Sequence, residues 1–298
     1  MEVGLVGLGK MGYPLALNML EQGHKVFALS RNPDRADQFK SEGITGTSSP
    51  ADFTKLFSAR RIIWLMVPAG EAVDKMIDAF IPLLTPGDII IDGGNSHYRD
   101  SVRRAKKVEE HDFAYADLGI SGGPSGARRG ACMMVGSTEE VYEYLEPLLK
   151  GICHDNGLLR VGGAGSGHYV KMIHNGIEYG MMQAIAEGFE LMTRGPYELE
   201  LSAVARLWNN GSVIRSWLIE LTARMLAEDP ALELIKGVAG SSGTGRWTVD
   251  EALQCHVPLP VITQALYARY SSEQENSFAA RVVAGLRREF GGHDVVEA

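Results

Sequence analysis

The sequence is poor in several features that would place it outside the ordinary globular class. Its three cysteines, Cys132, Cys153 and Cys255, are odd in number and far apart, which excludes a disulfide framework and a paired C-x-x-C zinc site. They read as buried thiols. No stretch of about 18 or more uncharged apolar residues occurs, so no membrane span is expected. Residues 1–7 read as a buried strand and not as a cleavable signal, so the expected location is cytoplasmic. Positive charge is also scarce: 29 Lys and Arg against 37 Asp and Glu leave a formal net charge of −8. A nucleic-acid partner needs a basic surface and is not expected, and an anionic small substrate must be held by a local basic cluster. Internal repeats and low-complexity tails are missing as well. What remains is 298 residues with 45% hydrophobic content, enough for one large or two ordinary cores.

Up to about residue 160, short apolar runs alternate with amphipathic stretches, the pattern of βαβ units around a mostly parallel sheet. Candidate strands are 2–7, 25–30, 61–67, 88–92 and 113–118, with helices at 10–22 and 70–80 between them. The fold class that follows is α/β: an N-terminal doubly wound (Rossmann) domain over 1–162, then an all-α domain over 163–298. After the glycine-rich Gly162 to Gly167 segment, the period becomes helical. Met172, Ile173, Ile177, Met181, Ile185, Phe189 and Met192 form an apolar stripe along one long helix. Further helices are expected at 203–208, 214–226 and 260–270, with a glycine-rich loop at 237–245.

Gly7-Leu8-Gly9-Lys10-Met11-Gly12 is a G-x-G-x-x-G directly after the first strand and before the first helix. Its first two glycines permit a tight turn and the approach of a pyrophosphate to backbone, and the third permits close strand–helix packing. The helix N-terminus adds N–H groups and a positive dipole end. The residue that would bind the ribose 2′-hydroxyl of NAD if acidic is here Ser30, followed by Arg31. No carboxylate repels a 2′-phosphate and an arginine can pair with it, so NADP is favoured over NAD; alternatively, Arg31 is only a solvated surface charge. Val67, Pro68 and Ala69 at the end of the third candidate strand, and Asn95, are counted with the cofactor contacts.

Lys171, His174, Asn175 and Glu178 fall at i, i+3, i+4 and i+7 and share one face of the long helix, while Met172, Ile173 and Ile177 turn towards packing partners. A polar stripe also suits a plain solvated face. Its position just after the glycine-rich loop, and its combination of proton donors and acceptors, favour chemistry. A lysine acts as a base only if its pKa falls towards neutrality, through burial or a cationic neighbour.

Lys171 to Tyr179, together with Asp92-Gly93-Gly94-Asn95-Ser96, Gly119-Ile120-Ser121-Gly122-Gly123 and Gly126-Ala127-Arg128, resembles the 6-phosphogluconate dehydrogenase family within the broader β-hydroxyacid dehydrogenases. The resemblance covers almost the whole chain. It implies an oxidative decarboxylation of 6-phosphogluconate to ribulose 5-phosphate, as in the pentose phosphate pathway and gluconate utilisation. Lys171 is implied as general base and Glu178 as general acid, and no metal is implied. Asn95, Ser121, Gly122, Gly123, His174 and Asn175 match the family's substrate contacts.

A phosphorylated aldonic acid carries about three negative charges near pH 7. Tyr179, Thr244 and Arg269 match phosphate-contacting positions of the family. Ser242 stands where many members have lysine, so that charge comes from elsewhere, for instance Arg246, or is missing. The segment Arg287-Arg288-Glu289-Phe290-Gly291-Gly292-His293 resembles the family's tail, whose arginine and histidine reach a neighbouring subunit's active site. Arg287 and His293 are therefore expected substrate contacts within a homo-oligomer, a dimer or tetramer; the other reading is a frayed basic tail. The chain resembles the short form of the family. Two rival functions stay open: a β-hydroxyacid dehydrogenase for a small unphosphorylated acid, and a non-catalytic dinucleotide sensor.

Overall fold

A computed structural model describes residues 1–30 and 39–297 of the protein. They form two compact units, Met1–His174 and Asn175–Ala298. In the first, β1 (Glu2–Val6), β2 (Lys25–Leu29), β3 (Thr45–Thr47), β4 (Ile62–Leu65), β5 (Ile89–Asp92), β6 (Ala114–Ser121), β7 (Ala131–Ser137) and β8 (Cys153–Gly162) make one sheet in the order β3-β2-β1-β4-β5-β6-β7-β8. It is parallel apart from the β6–β7 pair. Helices α1 (Gly12–Glu21), α2 (Pro50–Thr54), α3 (Glu71–Phe80), α4 (Tyr98–Glu109), α5 (Gly123–Arg129) and α6 (Glu139–Ile152) connect the strands. This is the Rossmann-like, doubly wound domain.

Helices cover both faces of such a sheet, so its central strands lose polar alternation. Every residue of β4 (Ile-Ile-Trp-Leu) and of β5 (Ile-Ile-Ile-Asp) is buried. Alternate side chains then serve opposite cores. Ile62, Trp64, Ile89 and Ile91 join Leu15, Met19 and Leu145, while Ile63, Leu65 and Ile90 join Val73, Ile77 and Phe80. Burial at about 1.5–3 kcal/mol per large apolar side chain makes these two cores the main support of the sheet. The strand order reverses direction at β1, which pairs with both β2 and β4. A crevice for ligands opens at the carboxyl ends of the strands at such a switch point.

All five expected strands are present, and three more were not foreseen. β3 is only Thr-Gly-Thr, β7 runs antiparallel to β6, and β8 is a half-exposed edge strand interrupted by Asn156 at φ 59°. β3 and β8 carry no buried apolar run of the kind that marks the centre of a parallel sheet, whereas β7 does bury Met133, Met134 and Val135. The cysteine expectation is corrected too: Cys132 and Cys255 are exposed and Cys153 is half-buried. Cys132 alternates out of β7 between the buried Ala131 and Met133, and Cys255 lies just past the end of a helix.

The long helix, α7 (Ser166–Arg194), begins in the first unit and continues into the second. The second unit adds α8 (Leu201–Trp208), α9 (Trp217–Glu228), α10 (Thr244–Gln254), α11 (Pro260–Ser272) and α12 (Phe278–Gly291). Side-chain caps start several of them; Ser216, for example, accepts from the Ile219 N–H at 3.2 Å. Two small cores hold this unit, one around Phe189, Ala205, Ile219, Ala223 and Leu226, the other around Tyr179, Ala265 and Leu266. They do not cover the whole apolar stripe of α7: Ile177 is 51% and Met181 42% exposed, against the expected packing of Ile177. α12 buries none of its residues on this chain. Among the described residues no helix is long and apolar enough to cross a membrane.

The first residue of β1 is a tightly bound carboxylate. Burial pushes Glu2 up, but the Ser58 N–H and hydroxyl and Lys25 outweigh it and hold its pKa at about 2, below the ordinary 4.5. A depressed carboxylate stabilises the fold above its unfolded pKa, and that contribution disappears as pH falls through the folded value. The melting-temperature advantage of the wild type over Glu2→Gln is therefore expected to be constant above about pH 5 and to vanish between 4.5 and about 2. A difference independent of pH in that window would contradict the assignment.

Candidate active site

At the crevice, Gly7 has φ +97°, and a Cβ there would come within 2.6 Å of the Met66 carbonyl; a Cβ on Gly12 would collide with the Gly7 carbonyl. Both glycines are required by packing. Gly9 is different: among the described residues, a Cβ on it would meet nothing within 4 Å. Its bareness keeps open the space a pyrophosphate needs beside the backbone. The first turn of α1 has no side-chain cap and no acidic residue, so its N–H groups suit a phosphate. Leu8 is buried and Met11 packs on the same core, whereas Lys10 is exposed. Ser30 follows β2, its N–H bonded to the Thr47 carbonyl at 3.0 Å; Arg31 lies outside the described residues. Val67, Pro68 and Ala69 follow β4, and Gly94, next to the exposed Asn95, lies so close to the Val67 carbonyl that a Cβ would approach it to 3.1 Å. The loops after β1, β4 and β5 thus present the cofactor candidates at the carboxyl ends of the strands.

The polar stripe starts on β6. Ser121 Oγ lies 3.1 Å from His174 Nε2, and His174 Nδ1 lies 3.3 Å from Lys171 Nζ. Gly119, two residues before Ser121 on the same face of the strand, gives the lysine its room: a Cβ there would stand 2.5 Å from Lys171 Cβ. Gly122 (φ +118°) and Gly123 (φ +59°) turn the chain into α5, and a Cβ on Gly123 would meet nothing within 4 Å. Lys171, His174, Asn175 and Glu178 are each half-buried, which is not the exposure of a fully solvated face.

A second cluster lies within the helical unit. Tyr179 is 7% exposed, and the Arg269 guanidinium sits 3.6 Å from its ring centroid while donating to the Gly240 carbonyl at 2.8 Å. Ser242 Oγ and Thr244 Oγ1 are 3.2 Å apart, just before and at the start of α10. A Cβ on Gly245 would run into the Tyr179 ring, so only glycine lets α10 begin there. Burial pushes the Tyr179 phenol up, but hydrogen bonding with Ser242 and the Arg269 charge outweigh it and leave it below its ordinary value. Arg246, considered as a substitute for the family lysine, is 68% exposed and pairs with Asp250 at 3.5 Å. Arg287 and His293 are exposed, joined at the end of α12 by a turn in which Gly292 is left-handed and the His293 N–H meets the Arg287 carbonyl at 3.5 Å.

Residues 2–162 match the family described as the NAD binding domain of 6-phosphogluconate dehydrogenase, and residues 167–290 match its C-terminal domain. A Bacillus subtilis protein provisionally named as a 6-phosphogluconate dehydrogenase (YqeC) is 48% identical over 98% of each chain. The chain belongs to the 6-phosphogluconate dehydrogenase family. The NAD(+)-dependent, decarboxylating 6-phosphogluconate dehydrogenase of Haloferax volcanii is 44% identical over 99% of this chain and 98% of its own. A Plasmodium falciparum 6-phosphogluconate dehydrogenase, solved in apo form and with NADP+ or 6-phosphogluconate, superposes with a TM-score of 0.85 at 33% identity; it is covered over 100% of this chain and 66% of its own. This chain thus spans about two thirds of the length of that structural relative.

Within this member of the 6-phosphogluconate dehydrogenase family, sequence reasoning missed the buried charges that support the site. Asp92 Oδ2 accepts from Ser96 Oγ at 2.8 Å and from Arg104 Nη1 at 3.1 Å, and Arg104 also donates to Asp74 and to the Gly70 carbonyl. Arg104 and Asp92 have fully buried side chains. The network fixes the Gly93-Gly94-Asn95 turn to α3 and α4. The available signal was a lone aspartate closing an otherwise apolar strand; nothing in the sequence pointed to Arg104. Among the described residues no group of three or more His, Cys, Asp or Glu could hold a metal. Removing one partner of a buried pair strands the other, so Arg104→Met is expected to cost about 3–5 kcal/mol in urea unfolding. A loss below about 1 kcal/mol, the range of an exposed pair, would show that Asp92 is not a buried charge.

Proposed function

We propose that this chain oxidises and decarboxylates 6-phosphogluconate to ribulose 5-phosphate, with residues 1–162 binding the dinucleotide and 163–298 the substrate. The observation that carries this reading is the Ser121–His174–Lys171 chain, docked against β6 at the crevice end of the sheet. The bound nicotinamide would accept the hydride from C3. Lys171 takes the proton of the C3 hydroxyl, giving a 3-keto acid. When the carboxylate leaves as CO₂, its bonding electrons pass into an enolate whose oxygen the protonated Lys171 neutralises. Glu178 then protonates the enediol at the carbon that lost CO₂, which becomes C1 of ribulose 5-phosphate, and Lys171 takes back the hydroxyl proton as the ketone forms. His174 and Ser121 hold the lysine and, with Asn95, Gly122, Gly123 and Asn175, orient the substrate.

The distal phosphate is assigned to Tyr179, Thr244 and Arg269, with the Ser242 hydroxyl in place of the family lysine. Arg287 and His293 are assigned to a neighbouring subunit's substrate in a homo-oligomer; the support is the uncovered α12, with Val283, Leu286 and Phe290 at 59%, 57% and 78% exposure. Ser30 and Arg31 support NADP as the preferred cofactor, and the NAD(+)-dependent name of the Haloferax relative points the other way. Titration of both cofactors at saturating 6-phosphogluconate decides: a higher kcat/KM with NADP is expected, and a higher value with NAD overturns the preference.

Purified protein is expected to reduce the cofactor and release CO₂ in equal amounts from 6-phosphogluconate. Turnover of a short unphosphorylated hydroxyacid in its place would support the rival dehydrogenase. Lys171→Met is expected to lower kcat by about 10²–10⁴-fold, the usual contribution of a general base, with cofactor affinity kept. Deleting residues 287–298 is expected to weaken substrate binding much more than cofactor binding, and equal affinities would return the tail to a surface role.

A further inference from the structure

The reaction scheme makes no use of Asp117, a fully buried carboxylate in the middle of β6. Its Oδ1 accepts the Gly165 N–H at 2.5 Å and its Oδ2 the His168 N–H at 2.8 Å. These are amides at the start of α7, where N–H groups have no partner within the helix. A cap of this kind usually comes from the residue just before the helix. Here it comes from a strand 48 residues earlier, and the segment that would supply a local cap is the bare Gly162 to Gly167 stretch.

Asp117, Gly119 and Ser121 alternate along one face of β6. Each meets a successive turn of α7: Asp117 meets Gly165 and His168, Gly119 meets Lys171, and Ser121 meets His174. Strand steps of about 6.8 Å and helix turns of about 5.4 Å stay in step over this short distance. Missing side chains bring the two elements together. A Cβ on Gly167 would stand 2.5 Å from both the Asp117 and Met134 carbonyls, and one on Gly136, which pairs with Asp117 in the sheet, would strike the Asp117 carboxylate. The His168 ring is itself 1% exposed, with Nδ1 2.7 Å from Ser101 Oγ on α4. The amides need two acceptor oxygens at once, which an ionised carboxylate provides and an amide side chain does not.

We propose that Asp117 is a positioning residue for the proton transfer: by capping α7 from within the sheet, it sets the register in which Lys171 faces the substrate. This rests on the reading of Lys171 as the base. The cap lies one helical turn before the lysine, and its loss lets the first turn fray or slide on β6. An ångström-scale displacement of a base costs about tenfold to a hundredfold in rate.

In Asp117→Asn, kcat is expected to fall about tenfold to a hundredfold with cofactor affinity unchanged, the loss an ångström of misplacement brings. The primary isotope effect on kcat with substrate deuterated at C3 is expected to rise. A variant that merely folds less well would lose active enzyme and leave the isotope effect unchanged, which would overturn the proposal. Gly119→Ala presses on Lys171 without touching the cap and is expected to show the same split; wild-type kcat and isotope effect in a folded Gly119→Ala would count against the register. The wild type supplies the third readout. Hydrogen exchange at Gly165 and His168 should be as slow as in the β6 core, and exchange at the rate of an open helix end would end the proposal. If Lys171→Met keeps full turnover, the reading of the base fails instead; if that variant is dead and a folded Asp117→Asn is fully active, only the positioning role fails.

Discussion

A helix can lie directly on a strand only where side chains are missing from both, and the account of this protein depends on one such contact. The start of α7 rests on β6 and β7 through Gly119, Gly136 and Gly167, none of which has room for a Cβ. Backbone N–H groups brought this deep into the sheet need buried acceptors, and Asp117 supplies them. The cost of burying that carboxylate is visible in its pKa, which burial pushes up despite the His168 ring and the two N–H groups that favour the charge. The arrangement converts a long helix, whose own residues cannot fix its rotation against a sheet, into a rigid carrier for Lys171 and His174.

The same logic of absent side chains operates at the dinucleotide loop, with one difference. Gly7 and Gly12 are bare because protein backbone fills the space, and Gly9 is bare although no described residue fills it. Two of the three glycines are thus explained by folding, and the third leaves space open beside the backbone. Around them the sheet reverses its order between β2 and β4, which opens the crevice, and the Asp92–Arg104–Asp74 network holds the next loop in place. These buried charges hold backbone turns in their shape.

Much of this was legible in the residues, for identifiable reasons. The central strands announce themselves because a parallel sheet covered on both faces needs apolar residues at every position, as in Ile62–Leu65. The polar face of α7 follows from spacing alone. What spacing cannot convey is a contact between residues far apart in the chain: Ser121 against His174, Asp117 against Gly165, Arg104 against Asp92. A charged residue inside an apolar strand was the one available hint, at Asp92 and Asp117 alike. β3 and β8 were illegible because an edge needs no apolar run, and the packing expected of Ile177 failed because the cores of this single chain are too small to cover it.

The central claim is the placement of one amine. A crystal structure of the protein with oxidised cofactor and 6-phosphogluconate bound tests it most directly. The account predicts Lys171 Nζ within hydrogen-bond reach of the C3 hydroxyl, its helix still held by the Asp117 carboxylate. A bound substrate whose C3 hydroxyl meets some other base, with Lys171 turned away from it, would contradict the account.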